Sequence, residues 1–251
     1  MSGQGNPFVV EGMRLYFSER RILRSYLFVA GALGLVLAAM WPRGTIEAAL
    51  REGAASDTFT VVAACLLLFL LILGARYGVE DFAPEAAARL REYVTLTPVS
   101  LISVIGGRMV FAALHTVVLL LLGAPFLAAA MASGGAGFTQ ALSALAVAGA
   151  ASLGARMSGL LALTLVSRRQ RLRGLLLFSA LAAVFAVTFL WAPWANPFHA
   201  VAFLLKDPHG SSACLWCAAA DLGAACVLAA GAGLVLAVVR AHTKHRGPGR
   251  G

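Results

Sequence analysis

Residues 109–131 read MVFAALHTVVLLLLGAPFLAAAM, and residues 133–137, SGGAG, precede a second apolar run that begins at Phe138. At about 1.5 Å per residue the first run outreaches a hydrocarbon core of about 30 Å, and it carries no Asp, Glu, Lys or Arg. The glycine-rich link is short, so the two runs form an antiparallel hairpin of membrane spans. Backbone polar groups in lipid must be satisfied within each spanning segment, so separate runs of this length are helices.

Working outward from the hairpin, the same reading predicts six spans, at residues 22–42, 59–75, 109–131, 138–167, 175–192 and 214–239. The expected fold is an all-α integral membrane protein forming one transmembrane domain over residues 1–251. Composition agrees: 60% of residues are hydrophobic and 12% charged, where soluble domains carry roughly 25% charge. A soluble enzyme is excluded on this ground. The net charge of +9 does not point to nucleic acid, because the charges sit between apolar runs, where they set topology. Cys65, Cys214, Cys217 and Cys226 lie inside or at the ends of apolar segments, unlike a secreted disulfide framework. The first 24 residues hold no apolar core ahead of their basic cluster, so no cleavable signal peptide is expected.

Orientation follows from the cations, which stay on the cytoplasmic side during insertion. One side carries Arg14, Arg20, Arg21 and Arg24, then Arg76, Arg89, Arg91 and Arg108, then Arg168, Arg169, Arg171 and Arg173, and finally Arg240, Lys244, Arg246 and Arg250. The other side carries only Arg43, Arg51 and Lys206. Both termini are therefore expected in the cytoplasm.

Three segments are not spans. Residues 1–21 interleave Phe8, Val9, Met13, Leu15, Tyr16 and Phe17 with Glu11, Arg14, Glu19, Arg20 and Arg21, the mixture of an interfacial helix. A solvated lead-in is the plainer alternative. The cytoplasmic connection 79–100 contains Pro84 and then Glu85 through Tyr93, acidic at the start and basic later, which suits the dipole of a short helix. Thr97-Pro98-Val99-Ser100 ends it, and residues 101–108 lead into the third span. Between spans five and six, residues 193–213 hold an apolar stretch too short to cross, bracketed by Asn196-Pro197 and Pro208, as in a short re-entrant helix at the outer leaflet.

The amphipathic lead-in, the six spans, the long connection ending in Leu96-Thr97-Pro98-Val99-Ser100 and Gly107-Arg108, and Asn196-Pro197-Phe198 together resemble the permease subunits of type-2 ABC exporters. The Gly-Thr step found in that family's coupling helix is replaced here by Arg89-Leu90. The resemblance implies that 79–100 is a cytoplasmic coupling region docking into an ABC ATPase through Glu85, Arg89, Arg91 and Glu92. It also implies a second permease copy or paralogue, a bacterial inner membrane, and export driven by ATP and Mg held in the ATPase. Rigid-body tilting would carry the stroke across the membrane. The chain lacks a P-loop of its own, since its two lysines, Lys206 and Lys244, follow Leu205 and Thr243 rather than glycine. ATP hydrolysis is thus expected in a separate subunit, and no cofactor or metal is expected here. Alternatives are a non-transporting assembly or anchoring subunit of the same fold and, third, a proton-coupled carrier.

Few polar residues interrupt the spans. Arg156, about 18 Å in from Arg168, costs about 2.5–3.5 kcal/mol to insert near mid-bilayer and needs company. Asp221 lies at a comparable depth in the sixth span, so the two either pair, or line a substrate route, or Arg156 reaches water along a distorted fourth span. His115 reads as a hydrogen-bonded packing residue. Ala146, Ala150, Gly154 and Ser158 form a small-residue stripe for close helix approach, as packing or as a dimer face. Cys214-Leu215-Trp216-Cys217 has metal or redox spacing without a second pair, and membrane-border packing is preferred. The run Arg168 to Arg173 sets topology, with anionic lipid or the ATPase as further partners. Substrate identity is not encoded in any motif.

Overall fold

The computed structural model describes residues 20–41, 54–80, 100–166, 170–205 and 210–245. Its regular elements are all helices: α1 (Arg20–Met40), α2 (Ala54–Glu80), α3 (Leu101–Ala130), α4 (Phe138–Leu165), α5 (Gln170–Trp191), α6 (Pro197–Phe203) and α7 (Gly210–His245), with a 3-10 turn at Pro193–Ala195. Five of these, α1, α2, α3, α4 and α7, are long and apolar enough to cross a membrane. The chain is a multi-pass helical membrane protein. In α5 the apolar run is shorter, Leu177–Trp191. The segment up to residue 19, predicted to be interfacial, and the connection 81–99, with Glu85, Arg89, Arg91 and Glu92, lie outside the described residues.

The third helix starts at Leu101, eight residues earlier than its apolar run predicts. Ser100 is extended, and its Oγ accepts the Ser103 N–H at 3.1 Å, capping the first turn. Residues 101–108 are thereby part of the helix, with Val104 buried inside it. At the other end the chain stays helical as a π turn over Met131–Gly135, where Ser133 Oγ donates to Ala130 O at 2.6 Å. The reversal into α4 narrows to Ala136 and Gly137, whose N–H donates to Gln140 Oε1 at 3.1 Å. The predicted glycine loop is thus mostly helix, because a helical hydrogen bond is the cheapest partner for a backbone in lipid.

α4 is the axis of the bundle, packed most extensively against α2 on one side and α7 on the other. Its buried positions are mainly Ala, Gly and Ser, including Ala144, Ala148, Ala151, Ser152, Ala155 and Gly159. Lipid chains are as apolar as leucine, so helices associate by close packing rather than by escape from water, and small residues permit the approach. The contact with α2 is the tightest. Ser152 Oγ donates to Leu70 O at 3.1 Å. A Cβ on Gly74 would lie 2.6 Å from Ser152 O, and one on Gly159 would lie 2.7 Å from Gly78 Cα. Around that crossing Phe59, Leu66, Leu67 and Leu70 are wholly buried, while Val104, Met157, Leu160 and Leu236 form a second cluster joining α3, α4 and α7. Phe28, Leu35, Val187, Leu190, Trp216 and Val227 point outward from α1, α5 and α7. That apolar exterior faces lipid.

Candidate functional site

Among the described residues two polar centres sit within the spans, on different sides of α4. The first is built around Arg156, nine residues before the end of α4 at Leu165. Its Nη1 lies 2.5 Å from Nδ1 of His115 on α3, and its guanidinium carbon lies 5.2 Å from the centre of the Phe111 ring. Phe111 and His115 share a face because they are four residues apart on one helix. The Tyr77 ring from α2 meets the His115 ring edge-on at 4.9 Å, and Tyr26 from α1 stands 6.2 Å from it. Arg108 stands one turn before Phe111 on the same helix. The cation is therefore held by an imidazole acceptor and an aromatic face. Four helices converge on it.

The second centre is Asp221, seven residues or roughly 10 Å from the start of the α7 span at Cys214. It lines a cavity of about 700 Å³ between α4, α5 and α7, whose walls include Leu71, Leu161, Leu181 and Phe185. Its Oδ2 is sealed from solvent and has no hydrogen-bond partner among the described residues. Arg156 and Asp221, matched in depth by sequence, form no ion pair among the described residues. The reason is angular. The α7 backbone at Asp221 O lies against Gly154, and Arg156, two positions on, points about 200° away around the helix. The stripe predicted along α4 divides accordingly: Gly154 and Ser158 line the cavity, whereas Ala150 is buried in the main core.

Asn196 organises the segment before α7. Its Oδ1 accepts from the N–H groups of Phe198 and His199 at 3.0 and 3.2 Å, capping α6, and its Nδ2 donates to Phe185 O and Thr188 Oγ1 at 3.0 and 3.1 Å. Both donors and both acceptor sites of a buried amide are used. Pro197 occupies the first turn, where its missing N–H is harmless. Cys214 Sγ lies 3.4 Å from Ala200 O and ties α7 to this short helix. Cys214 and Cys217 are buried free thiols, and no group of three or more potential metal ligands occurs among the described residues.

Sequence reasoning singled out Arg156, His115 and Asp221 but not the aromatic residues Tyr26, Tyr77 and Phe111 around the first two. It also passed over Gly74 and Gly78, although their four-residue spacing is the small-residue signal that marks close helix approach. No family model matches the chain, and neither a curated protein nor a solved structure matches it.

Proposed function

We propose that the chain is the membrane-spanning permease subunit of an ATP-driven ABC exporter, working with a second permease copy or paralogue and with a separate cytoplasmic ATPase that holds ATP and Mg. The observation that carries this reading is the connection after the second span. Its helix-forming stretch around Glu85, Arg89, Arg91 and Glu92 is followed by Thr97-Pro98-Val99-Ser100, the helix start and Gly107-Arg108. Ser100 as the cap of α3 supports it, since the capped helix start stands directly after the connection, at the head of a span that can tilt. In this reading α5 is the fifth of six crossings and α7 the sixth, both termini are cytoplasmic in a bacterial inner membrane, and α6 lies at the outer leaflet.

The test is co-purification with the ABC ATPase. Wild-type chain retains an ATPase, and replacing Glu85, Arg89, Arg91 and Glu92 together by alanine releases it while the chain stays in the membrane. A chain that purifies alone, with no ATP-dependent activity in vesicles, overturns the proposal. Retention of an ATPase without substrate movement points instead to an anchoring subunit of the same fold.

A further inference from the structure

The Asp221 cavity has the chemistry of a ligand site that the exporter reading does not specify. At about 700 Å³ it falls within the usual range of small-molecule sites. Apart from Asp221, Ser158 and Thr188, every described residue lining it is apolar. The two hydroxyls are already committed within their own helix: Ser158 Oγ donates to Gly154 O at 2.9 Å, and Thr188 Oγ1 donates to Val184 O at 2.8 Å. That leaves the carboxylate. Its Oδ2 lacks a donor, and no cationic side chain of the described residues is paired with it. An acid this far into a span is conspicuous, because such residues face a protein interior or cavity and take a complementary charge. A bare divalent ion is a poor complement, since it calls for several oxygen ligands and the walls offer one carboxylate.

We propose that this cavity binds an amphiphilic organic cation, its positive charge set against Asp221 and its apolar body lodged between α4, α5 and α7. The charged contact fixes orientation, and close packing against the apolar walls adds to the affinity. Binding needs neither ATP nor a partner, so it stands or falls separately from the export reading.

The test uses the purified full-length chain in nanodiscs and equilibrium dialysis with tetraphenylphosphonium. Tetraphenylborate, of the same shape and opposite charge, is the control. Saturable binding of the phosphonium at one site per chain is expected, and no saturable binding of the borate when it is dialysed alone. Asp221→Asn, which keeps the volume, weakens binding by about tenfold or more, the order expected when a charge-assisted contact is lost. Ala224→Phe, one turn along α7 in the cavity wall, abolishes binding with the charge intact. Equal binding of the borate, an unchanged Asp221→Asn, or absence of saturable binding to wild type overturns the proposal. Should Asp221→Asn fail to fold, the phosphonium and borate pair on wild type, together with Ala224→Phe, decides the matter.

Discussion

Arg156 Nη1 and His115 Nδ1 meet at 2.5 Å across the contact between α4 and α3. A guanidinium has only donors, so Nδ1 accepts and the ring hydrogen resides on Nε2. The imidazole is thus a polar partner for a buried cation that otherwise rests against the Phe111 ring.

Removing that acceptor leaves a buried charge short of a partner. His115→Leu is expected to destabilise the chain by about 1.5–3 kcal/mol. Adding Arg156→Met should recover much of the loss, because deleting both members of a buried polar pair is far less costly than deleting one. Reversible unfolding in mixed micelles of SDS, comparing the single and double variants, checks this. Additive losses, with the double variant losing as much as the two singles together, would show that the two residues act independently.

Gly159 and Gly78 bring the backbones of α4 and α2 together, with Ala75 O also 2.9 Å from where a Gly159 Cβ would lie. Backbone atoms cannot swing aside as side-chain ends can. Gly159→Val is expected to cost about 1–3 kcal/mol, the range for overpacked sites. Gly106→Ala, where nothing lies within 4 Å of the added carbon, should move stability by less than about 0.5 kcal/mol. Thermal midpoints of the two variants in one detergent measure the contrast.

Asn196 joins the end of α5 to the start of α6 through both ends of one amide. Asn196→Ala removes the cap and two further bonds, an expected loss of about 1–2 kcal/mol. Asn196→Asp retains the accepting oxygen but turns a second acceptor toward Phe185 O, so it should recover only part of that loss. Hydrogen exchange over residues 197–203 is the readout, with faster exchange in the alanine variant.

The distribution of cations predicts sidedness directly. In a chain cleared of its native cysteines, a single cysteine at position 43 or 206 should react with a membrane-impermeant maleimide from outside intact cells. One at position 89, 168 or 246 should react only after permeabilisation. Labelling of position 89 from outside would also remove the basis for a cytoplasmic coupling helix.

Membrane class and helical form were legible from runs such as 109–131, because a segment partitions into lipid according to its own composition. Helix ends were less legible. Residues 101–108 include Gly106, Gly107 and Arg108, which lower the local hydropathy, yet Ser100 caps a helix through all of them. The candidate site was legible only as a set of costly residues: Arg156, His115 and Asp221 stand out against alanine and leucine, but their partners do not.

Chain composition alone determined that this protein lives in a membrane as helices, and its flanking cations set an expected orientation, since both depend on segments taken singly. Only the tertiary structure decided that Arg156 faces His115 and Phe111 while Asp221 opens into a cavity on another side of α4. In a helix that is apolar all round, the sequence has no polar face from which to infer rotation. Rotation is set by which small residues let two backbones touch, here Gly74 and Gly78 against Ser152 and Gly159, and that is a property of helix pairs.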